Sequence, residues 1–254
     1  LTNEHMRIAC SLRLGLDVIP NGLGSCPCGR EMDTRVNHSM MCARGGEAFH
    51  RHHGILRAMV QVFKEARPRD AISLEVLLQS LGPVRQGDKL KRMDIVVEST
   101  TKPTLLADTT AIHPVSRLSA SAKSTGADAK IREQQKNRAY GTASRDLRVQ
   151  FTPIAVEAFG RWGARAVSLL KSLAQDKASE AAAPSFAPAA ADNERQPLIN
   201  HRVRTNLLKR WYRALSCALQ RGNAQILRHN LVTAREIAGR GPTTTLFNLN
   251  NFVA

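Results

Sequence analysis

Four residues that bind soft metals fall within one short stretch: Cys26, Cys28, His38 and Cys42, spaced as Cys-x-Cys, nine residues, His, three residues, Cys. Thiolates and imidazole suit Zn²⁺, which takes four tetrahedral ligands and lends folding energy to a segment without a core. Residues 25–46 carry few apolar side chains and need such a staple. The gap between Cys26 and Cys28 is tighter than the common spacing of about two to four residues. Pro27 and Gly29 favour a sharp turn there. Cys10 and Cys217 stand apart, whereas a disulfide framework would want an even set spread over the fold. The clustering suits a metal in a reducing compartment. Unrelated buried cysteines beside a surface histidine are the alternative.

A second set is carboxylic. Asp94 begins the apolar run of LKRMDIVV, Asp108 ends that of LLADTT, and thirteen residues separate them. Two adjacent strands would bring these carboxylates to one sheet edge. Hard oxygen donors in that arrangement bind Mg²⁺, which can activate a water and stabilise the leaving oxygen in phosphodiester cleavage. Glu75, on the preceding segment, is a candidate third acid. Lys136 and Tyr140 are four apart on a predicted helix and share a face. An ammonium there could neutralise charge developing on a phosphate. On spacing alone, two strand-end aspartates and a solvated lysine fit the same pattern, since Arg132, Glu133 and Arg138 share the helix.

Arg51 and His52 lie in FHRHHG at a helix start, where a phosphate contact competes with a basic surface turn. His50, His52 and His53 do not read as a metal site, because contiguous helical residues do not face one ligand. His5 and His113 have no evident partner. Lys and Arg total 37 against 21 Asp and Glu, a net charge of +16, which favours a polyanion and above all nucleic acid. An anionic membrane surface is the weaker alternative. No apolar run is long enough to span a bilayer, and no secretory signal opens the chain. The first residue is Leu1, which raises the expectation of a fragment from a longer protein.

The elements that must position these groups follow from periodicity. An amphipathic helix is expected over 4–16 and another from Glu47 to Glu65, with Phe49, Leu56, Met59, Val60 and Phe63 near one face and Pro68 beyond its end. Ile72–Leu78, Met93–Val97 and Leu105–Thr110 read as strands. Residues 119–144 read as a helix, Val149–Glu157 as a strand, and Gly160 opens a helix to about Ala174. The order predicts an α/β fold with a mixed sheet flanked by helices. Residues 176–198 are Ala/Pro-rich and read as a linker. Beyond it, Val203, Leu207, Leu208, Trp211, Leu215 and Leu219 mark one helical face. The segment 201–240 carries nine Lys or Arg and one Glu. The last dozen residues are expected to be loose.

In this order, the motifs resemble the C-terminal region of non-LTR retrotransposon proteins that carry a restriction-like endonuclease. The resemblance rests on Cys26, Cys28, His38 and Cys42, on Arg51-His52, on Asp94 and Asp108, and on Lys136 with Tyr140. LRLGL, VQFTPIAVEAFGRWG and ALSCALQRGNAQIL add to it, and it spans residues 6–230 or so. It implies a restriction-endonuclease-like mixed sheet core, an N-terminal CCHC zinc knuckle and a C-terminal helical segment. The implied units are 1–24 as a helix and linker left from an upstream domain, 25–46 as the knuckle, 47–175 as the endonuclease, 176–198 as the linker and 199–254 as a basic helical tail.

The resemblance further implies that Asp94 and Asp108 hold a catalytic magnesium, that Lys136 is the catalytic lysine and that Glu75 assists. Zinc would be structural. Arg51, His52, Tyr140, Arg202, Arg204, Lys209 and Arg210 would touch nucleic acid. The implied partners are a DNA target and element RNA, without a membrane, and the implied setting is nuclear. The implied reaction nicks DNA so that the new 3′ end primes reverse transcription. Departures are Met93 where proline is usual, His53 where Asn or Asp is usual, and the absence of any polymerase motif, which suggests a truncated copy. The competing expectations are a catalytically inactive nucleic-acid-binding fragment and a zinc-stapled interaction protein.

Overall fold

The structure, a computed structural model, describes residues 1–19, 25–26, 28–42, 44, 47–114, 124–182 and 196–237. The helices are α1 (Asn3–Leu14), α2 (Asn37–Met41), α3 (Glu47–Ala66), α4 (Ala127–Asp146), α5 (Ala164–Ala182) and α6 (Gln196–Ile237). The strands are β1 (Ala71–Leu77), β2 (Arg92–Glu98), β3 (Leu105–Ile112) and β4 (Gln150–Glu157). They form one mixed sheet in the order β1-β2-β3-β4. β1 and β3 flank β2 antiparallel, and β4 runs parallel to β3. A parallel neighbour needs a crossover, and α4 lies on that connection. The α/β class with a mixed four-stranded sheet flanked by helices is therefore the observed architecture. No helix among the described residues is long and apolar enough to cross a membrane.

One face of the sheet carries the main core. Ile95, Val97, Leu105, Ala107, Ile154 and Val156 project onto Ile55, Met59 and Phe63 of α3, Leu170 and Leu173 of α5, and Trp211, Leu215 and Leu219 of α6. On α3 the buried set recurs at three- and four-residue steps, the stripe an amphipathic helix buries. Each such Leu or Phe contributes about 1.5–3 kcal/mol of transfer free energy. Phe49, expected on that stripe, is instead exposed and stacks on His53, with ring centroids 3.8 Å apart. It lies in the first turn of α3, ahead of the apolar stretch that reaches the sheet. The opposite face packs Leu78, Met93, Val96 and Leu106 against Ala143 and Tyr140 of α4.

Helix α5 begins at Ala164, after the predicted Gly160. Gly160 has φ +97°, and Val156 bridges Trp162, so residues 158–163 form a turn first. The α5 amides then find their acceptor in Glu133, whose Oε1 takes Arg165 N at 2.8 Å and Ala166 N at 3.4 Å. A Cβ at Gly163 would overlap that carboxylate, so glycine is required there for close approach. The helix runs past the expected end near Ala174 to Ala182. Asp176 at the expected linker boundary is helical, and its Oδ2 lies 3.0 Å from Arg67 Nη2 and 2.6 Å from Lys102 Nζ. The middle of the predicted linker (183–195), the start of the predicted 119–144 helix and the last residues of the chain lie outside the described residues.

Helix α6, 42 residues and so about 63 Å long, lies against the core rather than trailing from it. Its first half packs on α3 and α5. Its second half supplies Ala224, Ile226, Leu227 and Leu231 to a separate cluster with Ile8 and Leu12 of α1 and with Val18, Ile19, Met32, Val36 and Met40. The Cys/His segment is thereby seated on the same helix as the sheet.

Candidate functional site

The ladder between β2 and β3 pairs Ile95 with Ala107, Val96 with Leu106 and Val97 with Leu105. Continued by one residue, that register sets Asp94 opposite Asp108. Between β1 and β2, Leu74 pairs with Ile95 and Val76 with Met93. The residue between those pairs on β1 is Glu75, so Glu75, Asp94 and Asp108 form a row across three strands. Glu75 has φ +53°, a left-handed conformation costly for a side chain with a Cβ, and its own ladder pair is missing. Strand register thus sets all three acids at one level across the sheet.

Each acid is held differently. Asp94 is 9% exposed. Its Oδ2 accepts from Thr109 N at 2.5 Å and from Thr109 Oγ1 at 2.7 Å. Its Oδ1 faces His52 Nε2 at 3.5 Å. Burial works to raise the Asp94 pKa, but His52 and Thr109 outweigh it and the net shift is downward. Asp108, also buried, meets Lys136 Nζ at 2.6 Å. Burial first, then the neighbouring charge of Asp94, pushes its carboxyl up, against the pull of Lys136. Asp94 raises the proton affinity of Asp108, and with the one ammonium of Lys136 set on Asp108 the three acids leave an excess of negative charge suited to a dication.

His52 sits on α3 with Nδ1 3.2 Å from Thr109 Oγ1. Its pKa is raised, first by its bond to Asp94 and then by the surrounding acids, against desolvation. Donor atoms of His52, Glu75 and Asp94 lie within 4.8 Å of one another. Asp108 is engaged with Lys136 and stands outside that group. The geometry therefore groups Asp94 with Glu75, the candidate third acid, and with His52, where the sequence paired it first with Asp108. Tyr140 is half-buried against Phe151, its hydroxyl donates to Arg92 O at 3.4 Å, and Lys136 Nζ stands 5.6 Å from its ring centroid. Burial and Asp108 raise the phenol pKa.

The remaining candidates divide by exposure. Arg51 is 5% exposed, and its Nη1 donates to Asn223 Oδ1 of α6 at 3.2 Å, so it joins α3 to α6 rather than facing solution. Burial depresses the guanidinium pKa to about 10. Arg202 and Lys209 are exposed on α6. Arg204 donates to Gln175 at 3.2 Å, and Arg210 is ion-paired with Glu65, whose other oxygen accepts from Trp211 Nε1 at 2.8 Å.

Cys26, Cys28, His38 and Cys42 converge, with donor atoms within 4.8 Å of one another. The turn that presents the first two is closed by Cys26 N to Arg30 O at 2.7 Å and Gly29 N to Cys26 O at 2.8 Å, with Gly29 at φ +88°. α2 carries His38, with Cys42 one turn on. Asp33 satisfies its first amides by accepting from Asn37 N and His38 N at 2.9 Å each. A tetrahedral zinc sets its sulfurs roughly 3.8 Å apart. Cys26 Sγ lies 3.5 Å from Cys42 Sγ, and Cys28 Sγ 3.0 Å from His38 Nε2. Burial pushes the Cys26 thiol up to about 12, while the Arg30 amide and His38 bring Cys28 down to about 6. Such a donor set favours one thiolate without a cation and gains more with one. The cluster is a possible metal site consistent with zinc.

Two groups carried no recognisable sequence signal. Thr109, directly after Asp108, serves Asp94 across the sheet. His113 is 3% exposed and reaches Asn37 Oδ1 at 3.0 Å, tying the end of β3 to the Cys/His segment. No family model matches the chain, and no curated protein matches it.

Proposed function

We propose that the chain is a restriction-like, metal-dependent DNA endonuclease module of non-LTR retrotransposon type, with Cys26, Cys28, His38 and Cys42 as a CCHC zinc knuckle. The observation that carries this reading is the row of Glu75, Asp94 and Asp108 with Lys136 on Asp108. Asp94 and Asp108 are the acids expected to hold a magnesium ion, with Glu75 as third acid. The negative excess around them fits a divalent cation. When bound, that ion supplies Lewis acidity and a water of lowered pKa.

The chain's own groups do the rest. Lys136, oriented by Asp108, places positive charge beside the phosphate as the phosphorus gains a bond to water oxygen and loses its bond to the leaving sugar oxygen. Thr109 fixes Asp94, so its carboxylate needs no reorganisation during the reaction. Arg202 and Lys209, exposed on α6, contribute to phosphate attraction together with the net charge of +16. The target is DNA in the nucleus, with element RNA as a further partner.

Incubation of the zinc-loaded chain with supercoiled plasmid and Mg²⁺ or Mn²⁺ tests the proposal. Nicking is expected, and Asp94→Ala and Asp108→Ala are each expected to lower it by at least about a hundredfold. Salt-dependent DNA binding without nicking would leave a binding fragment in place of an enzyme.

A further inference from the structure

We infer that His52, Glu75 and Asp94 form a mixed nitrogen–oxygen site for a first-row divalent transition ion, with His52 Nε2 as a direct ligand. This rests on the nuclease reading of the same cleft and adds a site that shares Asp94 with the proposed magnesium pair but takes a different ion through other atoms. The three donors lie within 4.8 Å of one another. Two ligands on one such ion, each about 2.0–2.3 Å from it, stand roughly 3.0–3.6 Å apart. His52 Nε2 and Asp94 Oδ1 are 3.5 Å apart.

The independent support is the way Thr109 disposes the other atoms. Its amide and hydroxyl both donate to Asp94 Oδ2, at 2.5 and 2.7 Å. With its hydrogen given to Asp94, the hydroxyl oxygen can accept only, so His52 Nδ1, 3.2 Å away, is the donor in that pair. With Nδ1 committed to Thr109, Nε2 is the ring nitrogen that faces the carboxylates, and a cation would take the place of the Nε2 proton that bonds Asp94 Oδ1. One threonine thus ties down Asp94 Oδ2 and His52 Nδ1 and leaves Oδ1 and Nε2 facing each other. Such a partner on the far ring nitrogen is what metal-ligating histidines have. Glu75, in its left-handed conformation, completes the third side. Mg²⁺ takes oxygen ligands and keeps its waters, whereas imidazole suits transition ions.

The test uses the full chain loaded with zinc, so that the cysteines are occupied, and titrates it with Mn²⁺. Pulsed electron paramagnetic resonance of the bound Mn²⁺ reads ¹⁴N modulation from a directly bound imidazole. The expected result is ¹⁴N modulation in the parent, its loss in His52→Gln, and an affinity loss on the order of tenfold in that variant. Mg²⁺ affinity is expected to stay within about twofold. Glu75→Gln is expected to weaken Mn²⁺ while keeping the nitrogen signal, which controls for disruption of the cleft. Mn²⁺ bound without ¹⁴N modulation, or with modulation that persists in His52→Gln, overturns His52 as a ligand. Absence of Mn²⁺ binding overturns the site. In each of these cases plasmid nicking in Mg²⁺ decides the nuclease reading separately.

Discussion

His113 shows how a single buried side chain couples the chain's stability to pH. Burial, and then the nearby Arg51 guanidinium, lowers its pKa from 6.5 to about 4. Its Nε2 is held by Asn37. The unfolded chain takes up a proton as pH falls through 6.5, while the native imidazole resists until about 4. The unfolded state binds more protons across that window, so stability falls as pH is lowered through it. The full effect is about 3 kcal/mol. Denaturant melts of the parent are expected to lose stability between pH 6.5 and 4, and His113→Gln is expected to flatten that slope. An unchanged slope in the variant would assign the acid sensitivity to other groups. Arg51 and His52 illustrate the same point about environment. They are neighbours in sequence, yet one is buried in a helix interface and the other turned to the acids.

At the scale of elements, the contact between α3 and α6 sets how closely the acid cleft and the Cys/His segment approach. Two glycines lie along it and predict opposite outcomes. A Cβ at Gly222 of α6 would stand 2.7 Å from Arg51 Cα, so backbone must move. Gly222→Ala is expected to cost up to about 2 kcal/mol net, since overpacking of about 1–3 kcal/mol outweighs a gain of up to about 1 kcal/mol in helix propensity. A Cβ at Gly54 of α3 would meet only Ala218 O at 3.7 Å, an ordinary contact. Gly54→Ala is expected to stabilise by up to about 1 kcal/mol. Urea melts of both variants check the pair, and a stabilised Gly222→Ala would show that the two helices can separate without loss.

The whole molecule depends on two clusters sharing α6. The sheet core occupies its first half, and the cluster around α1, α2 and the cysteines its second. The smaller cluster has no aromatic side chain among its buried members and holds the four converging Cys and His side chains of the possible metal site. Removal of bound zinc by a chelator is therefore expected to loosen α1, α2 and residues 224–237 while β2, β3 and α3 stay protected. Hydrogen exchange followed by segment reads this directly. Uniform loss of protection would mean that the two clusters unfold as one unit, and no loss anywhere would mean that metal adds nothing to the fold.

Much of this was legible in the residues themselves. Helix and strand periods located α1, α3, β1, β2 and β3 to within a few residues, because alternation and three-to-four spacing follow directly from which faces are buried. Cysteine and histidine spacing marked the four side chains that converge as a possible metal site, because a cluster drawn from one short segment is a local property. The aspartates were legible as strand ends, but not what each would hold. Asp108 meets Lys136 and Asp94 meets His52 and Thr109 only through strand register and the docking of α3 and α4 on the sheet. Arg51 and His113 carried no sign of their burial, and Asp176 none of its two cationic partners. The basic segment beyond the linker gave no indication that its apolar face closes both clusters. Local pattern determines which residues form an element and which side is apolar. Which side chains meet across tens of residues is decided by packing, because contacts distant in sequence leave no periodic trace.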